Sequence, residues 1–307
     1  MDRLWDGQSN VVVRETLEPA VPFFEVATHL GDGAVLVAIG VLLYWFGDRP
    51  GQRERAFVVA IGIAALALAV GIKGIFALPR PTLVFSPMGY PGYTFPSAHA
   101  LGAAAVYGAL AVTMRTGTFR LRAAIAAVII AIVSTSRVVL GMHYPGDVIV
   151  GVAIGLGLVW LGLRWRREGR FRPGPIFLFA TIVALLAPFL GSSFYLTMTI
   201  GTAAGGTIGW YLVADRRVSQ SGAAIMVLGI AGLGGLAAIR TVTWLIGIGL
   251  PAVTVPGIVL VELMGYVLVT VFVLTLPTVA VAVEDHPVVV SFQRSLPFHG
   301  RRISVED

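Results

Sequence analysis

Nine apolar runs, each long enough to cross a bilayer, dominate this chain of 307 residues. They fall at about 30–47, 55–78, 97–114, 121–140, 147–165, 175–193, 194–214, 223–248 and 256–283. Only helices and closed barrels satisfy the backbone inside a bilayer, and runs of this length are helical. Charged residues make up 12% of the chain, against about 25% in soluble domains. The expected fold is therefore all-α, a polytopic bundle of about nine spans. Residues 15–29 are too mixed to span and are expected to lie along the interface.

Charge placement sets the orientation. Arg49, Arg53 and Arg55 follow the first run, and Arg115, Arg120 and Arg122 follow the third. Arg164, Arg166, Arg167, Arg170 and Arg172 follow the fifth, Arg216 and Arg217 the seventh, and Arg294, Arg301 and Arg302 the last. These 16 of the 22 Lys and Arg residues share one side, assigned as cytoplasmic by the positive-inside rule. The N-terminus is then outside and the C-terminus inside. The net charge of +6 follows from this topology and calls for no nucleic-acid partner. The absence of cysteine excludes disulfides, thiolate catalysis and Cys-ligated metals. The acidic first 20 residues carry no apolar core of signal length.

Lys73, Arg80 and Arg137 are not explained by that rule. They lie near the outer ends of the second and fourth runs, where charge by default marks function. Three stretches meet there: KGIFALPRP (73–81), PSAH (96–99) and SRVVLGMHYPGD (136–147). Three cations without matching carboxylates suit an anion, and arginine forks fit phosphate oxygens. Pro96 is expected in the first turn of a helix, with the Ser97 and Ala98 N–H groups free to cradle phosphate. Asp147, four residues after His143, is placed to fix one ring nitrogen and leave the other to attack phosphorus. Two histidines in an anion site suit two tasks, attack and protonation of the departing oxygen.

The pattern Lys-x6-Arg-Pro, Pro-Ser-x-His, Ser-Arg-x5-His-x3-Asp resembles the type 2 phosphatidic acid phosphatase family, which is related to the vanadium haloperoxidases. Lys73, Arg80 and Pro81 match the first motif, Pro96, Ser97 and His99 the second, and Ser136, Arg137, His143 and Asp147 the third. Ala98 stands where the family usually has glycine, a departure that matters only if the position needs positive φ. The resemblance covers about residues 20–165. It implies His143 as nucleophile through a phosphohistidine, Asp147 as its orienter and His99 as general acid. It also implies Lys73, Arg80, Ser97, Ala98 and Arg137 as phosphate-binding residues, with no metal and no cofactor.

The expected domains are an interfacial segment at 1–29, a phosphatase-like core at 30–170, added membrane helices at 171–284 and a cytoplasmic tail at 285–307. Arg240 and Glu262 fall at similar depth and are expected to pair, either structurally or at a lipid headgroup. Gly201 and Gly205, with Gly229, Gly232, Gly234 and Gly235, read as close helix packing onto the core or between subunits of a homo-oligomer. Tyr44, Trp45, Trp165 and Trp210 read as an interfacial belt. The expected function is hydrolysis of a lipid phosphomonoester or prenyl diphosphate at the extracytoplasmic face. The alternatives are a phosphotransferase using the same residues, and a phospholipid-binding or transport protein needing the cations but not the histidine pair.

Overall fold

The computed structural model describes residues 2–47, 51–81, 92–191, 195–219, 221–247 and 256–295. Among them there is no strand. Two short helices, α1 (Gly7–Thr16) and α2 (Val21–Ala27), precede nine longer ones: α3 (Gly33–Phe46), α4 (Gln52–Phe76), α5 (Ala98–Thr113), α6 (Phe119–Val139), α7 (Pro145–Arg164), α8 (Pro173–Leu190), α9 (Leu196–Val213), α10 (Gly222–Gly247) and α11 (Pro256–Val279). A last amphipathic helix, α12, covers Pro287–Ser295. Each predicted apolar run is thus one helix. Five helices among the described residues are long and apolar enough to cross a membrane, or six if residues 18–46 count as one span bent by 50°.

Local chemistry sets the helix ends that matter for the site. Helix α4 stops at Ala77, which is left-handed (φ 46°) and returns its N–H to Lys73 O at 2.9 Å. Pro79 and Pro81 then prevent helix from resuming. Helix α7 starts with Pro145 at its first position, and the Asp147 carboxylate accepts from Tyr144 N–H at 2.9 Å. That bond satisfies the backbone N–H at the N-cap.

Helix α4 is apolar on all sides and forms the centre of the bundle, as such helices do. It packs most extensively on α8, α5 packs on α7, and α9 on α11. Tyr44, Phe57, Ile61, Leu101, Phe177 and Leu274 are fully buried between these layers. Large apolar side chains such as Val37, Val128, Trp160 and Phe189 cover the outside, where a hydrocarbon surround replaces water. Helix α7 approaches α5 through Gly151 and Gly155. A Cβ at Gly155 would lie 2.5 Å from Leu101 O, and one at Gly151 would lie 2.8 Å from Ser97 O. This close approach puts the start of α5 beside the start of α7.

The aromatic belt needs correction. Tyr44, Trp45 and Trp210 are buried at 1%, 7% and 3% exposure. The Tyr44 hydroxyl donates to Leu274 O and the Trp45 indole to Val273 O, so α11 supplies the acceptors that an interface would otherwise offer. Trp210 stacks on Phe177. Gly201 and Gly205 lie against α11 of the same chain, next to Leu263 O and Val267 O. The Arg240 side chain lies outside the described residues, and the expected Arg240–Glu262 pair with it. At the end of the bundle away from Lys73, three exposed ion pairs join elements: Arg53–Asp215, Arg115–Glu54 and Arg217–Glu284.

Candidate active site

The C-terminal ends of α4 and α6 and the N-terminal ends of α5 and α7 converge, as the sequence spacing predicts. Lys73, in the last turn of α4, donates to Tyr93 O (2.5 Å) and Thr94 O (3.2 Å) in the stretch before α5. An ammonium has three donors, so these bonds leave one for a ligand. Arg80 reaches across to the α6–α7 turn. Its Nη1 donates to Met142 O at 3.0 Å and lies 3.5 Å from His143 Nε2. Arg137 is buried in the last turn of α6 and donates to Thr28 Oγ1 at 2.9 Å.

His143 occupies a tight turn in which Met142 N–H and His143 N–H both donate to Arg137 O. Asn10 of α1 closes the turn from outside: its Nδ2 donates to Val138 O (3.0 Å) and His143 O (2.9 Å). The ring is almost wholly buried. The Thr94 hydroxyl donates to Asp147 Oδ2 at 2.5 Å, so its oxygen accepts from His143 Nδ1–H at 3.1 Å. This chain places the proton on Nδ1 and leaves the Nε2 lone pair facing Arg80. Burial, reinforced by the Arg137, Lys73 and Arg80 cations, holds the His143 pKa well below its ordinary 6.5. The imidazole is therefore neutral at neutral pH, the form that can act as a nucleophile.

Two expectations at α5 need correction. Pro96 is not in the first turn; it precedes the cap, and the Phe95–Pro96 peptide is cis. Ser97 is the N-cap, and its N–H is not free because it donates to Asp147 O at 3.1 Å. The proximity of α5 and α7 is the reason: the Asp147 carbonyl reaches the cap first. Ala98 is the first helical residue and does not adopt positive φ, so a Cβ costs nothing where the family has glycine. His99 follows one residue on, its Nε2 2.8 Å from Asp32 Oδ1. It lies within electrostatic range of Arg137 and Arg80.

Sequence reading missed four residues that touch the site. Thr94 was legible as a hydroxyl inside YTFPSAHA, three residues before Ser97. Asp32 forms an i,i+3 pair with His29, the one local signal it gives. Thr28 and Asn10 give none, since their partners lie over a hundred residues away. His286 sits at the opposite end of the chain's bundle, before α12. Among the described residues no group of three or more His, Cys, Asp or Glu is placed to hold a metal.

The profile of the PAP2 superfamily matches residues 54–171, which take in all three motifs. The chain is 36% identical over 131 residues to decaprenylphosphoryl-5-phosphoribose phosphatase of Mycobacterium tuberculosis, in strains CDC 1551 / Oshkosh and ATCC 25618 / H37Rv alike. The match covers 42% of this chain and 70% of the relative. A crystal structure of a transmembrane PAP2-type phosphatidylglycerolphosphate phosphatase from Bacillus subtilis aligns with a TM-score of 0.45 at 22% identity, over 52% of this chain and 88% of that one. The apolar helices, the family match and the mycobacterial relatives define an integral membrane phosphoric ester hydrolase. The chain belongs to the PAP2 superfamily.

Proposed function

We propose that the protein removes the phosphoryl group from a phosphomonoester or diphosphate at the polar end of a membrane lipid. One observation carries the reading: the neutral His143 ring is tied through Nδ1 to Thr94 and Asp147, while Nε2 faces the cation Arg80. His143 Nε2 attacks phosphorus, a P–N bond forms, and the bond to the leaving oxygen breaks. His99 gives that oxygen a proton. Water then loses a proton to His99 and attacks phosphorus, the P–N bond breaks, and inorganic phosphate leaves with His143 neutral again. Lys73, Arg80 and Arg137, with the first N–H groups of α5, hold the phosphoryl oxygens and stabilise charge that grows in the transition state. Ser97 contributes as the cap of that helix.

The substrate class follows from location and likeness. A headgroup at the bilayer edge reaches Lys73 and Arg80 while its chains stay in hydrocarbon. The mycobacterial relatives are named for a phosphate on a polyprenyl-linked sugar, which favours a polyprenyl lipid over a diacyl one. The arginines at the other end of the bundle support an extracytoplasmic site. Helices α8–α11, outside the family match, form the added unit at 171–284, in which α8 and α9 pack on α4 and α11 packs on α9.

The test is phosphate release in detergent with chelator present, from a panel of prenyl diphosphates, prenyl-linked sugar phosphates, phosphatidate and phosphatidylglycerophosphate. Release that survives chelator, vanishes in His143→Ala and leaves acid-labile phosphate on the wild type establishes the mechanism. No release from any lipid by folded protein rejects hydrolysis. The chain has no cysteine, so Glu25→Cys and Glu168→Cys, both exposed, test the orientation. An impermeant reagent on intact cells is expected to label only the first; the reverse would invert the topology.

A further inference from the structure

Asp32 belongs to none of the three motifs. It is the N-cap residue of α3, with Leu36 N–H donating to its backbone carbonyl at 3.0 Å. A carboxylate in that position ordinarily accepts from the N–H groups of the first turn. This one does not. Both its oxygens face imidazoles instead: Oδ1 lies 2.8 Å from His99 Nε2, and Oδ2 lies 2.6 Å from His29 Nδ1. The residue has forgone its local partner for one 67 positions along the chain.

The turn Thr28–Gly31, just before Asp32, is fastened to the helices that carry the site. Tyr107 of α5 donates to Leu30 O at 2.9 Å, and Arg137 of α6 donates to Thr28 Oγ1. Gly31 lies flat against His99, whose Cβ and Cδ2 a Cβ there would approach to 3.3 Å. His29 is the more exposed imidazole, 67% against 26% for His99, and stands at the rim. A carboxylate held by two imidazoles from two directions has its rotamer fixed.

We propose that Asp32 is the positioning residue of His99, a role that rests on the reading of His99 as general acid. Asp32 accepts the Nε2–H bond, so Nδ1 carries the proton that is transferred. Its negative charge favours the imidazolium that must exist before transfer. As the P–O bond breaks, the Nδ1 proton moves to the leaving oxygen while the Nε2 proton stays on the ring against Asp32. In the second half-reaction Nδ1 takes a proton from the attacking water. Burial disfavours the charged ring, as do Arg137 and Arg80 within electrostatic range, and among the described residues Asp32 is the group that opposes them.

The leaving group separates positioning from structure. An alkyl phosphate needs its departing oxygen protonated, whereas a nitrophenyl phosphate does not. In Asp32→Asn, kcat/KM for the alkyl ester is expected to fall roughly 10–100-fold, part of the usual general-acid contribution. For the aryl ester it is expected to stay within about threefold, and inorganic phosphate is expected to inhibit no more weakly. In a His99→Ala background, Asp32→Asn is expected to add nothing on the alkyl ester. Equal losses on both esters, no loss on the alkyl ester, or failure of both Asp32→Asn and Asp32→Ala to fold would overturn the assignment and make Asp32 structural. An active wild type with those results sinks this proposal alone. A wild type that turns over neither these esters nor the lipids removes the proposed function, and this role with it.

Discussion

The Thr94 hydroxyl lies closer to His143 than the Asp147 carboxylate does, 3.1 Å from Nδ1 against 3.5 Å. The histidine and the aspartate that the sequence pairs by spacing are thus joined through a third side chain. Thr94 can serve both because a hydroxyl donates once and accepts twice. Its single proton goes to the carboxylate, so the ring must donate to it. Thr94→Val keeps the shape, removes the bridge and leaves the His143 Nδ1–H without its acceptor. We expect kcat to fall roughly 10–100-fold with KM changed little, because the loss concerns tautomer and orientation, not phosphate binding. Thr94→Ser is expected to retain most activity. Steady-state kinetics on one lipid phosphate decides; equal activity in Thr94→Val would mean that the direct 3.5 Å contact suffices.

The buried neutral ring makes stability depend on pH. The unfolded chain takes up a proton at His143 near the ordinary pKa of 6.5, whereas the folded chain takes it up only at much lower pH. Between those values the unfolded state binds more protons, so falling pH favours unfolding. Above 6.5 the ring is neutral in both states and contributes no difference. Each pH unit below 6.5 is expected to cost roughly 1 kcal/mol. Thermal unfolding at pH 7.5 and pH 5.0 checks this: the wild type should lose more on acidification than His143→Gln. Parallel losses would show that the folded ring titrates in the ordinary range.

The apolar runs made the helices legible to within four residues at each end, because a hydrocarbon solvent leaves a long apolar stretch no other form. The three cations, both motif histidines and Asp147 were legible for a related reason: polar groups at such a place have little else to do. What stayed hidden was chosen by tertiary contact. Asp32 looks like an ordinary helix cap until α5 brings His99 to it. Asn10 is one polar residue in a mixed segment until α6 folds beneath it. The Ser97 N–H looked free because nothing in PSAH shows that the Asp147 carbonyl arrives there. Tyr44 and Trp45 looked interfacial because a sequence does not show which helix covers them.

Asn10 is fully buried, although it belongs to a segment expected to lie along the interface. Its amide nitrogen ties Val138 O to His143 O and so fixes the backbone of the turn that carries His143. Asn10→Leu keeps the branched shape in a bulkier side chain and leaves both carbonyls buried without that donor, a cost of about 1–3 kcal/mol. Asn10→Asp is expected to do worse, because it sets a carboxylate oxygen against two carbonyl oxygens. Both variants are expected to lower the unfolding temperature and kcat together. Unchanged kcat in a destabilised Asn10→Leu would separate the turn's stability from the aim of His143.

Helix α7 reaches α5 only because Gly155 has no side chain. A methyl there would meet Leu101 O at 2.5 Å and Ala104 Cβ at 2.8 Å, and helix backbone cannot turn aside as a flexible side chain can. Gly155→Ala must therefore push the helices apart, an overpacking cost of about 1–3 kcal/mol. The same displacement stretches the 3.1 Å bond from Ser97 N to Asp147 O, two turns nearer the site. We expect a lower unfolding temperature and reduced phosphate release. Gly157→Ala, where nothing lies within 4 Å, is expected to change neither. If Gly155→Ala loses stability and keeps full activity, the site tolerates movement between α5 and α7, and the shared bond at Ser97 is not what aligns Asp147.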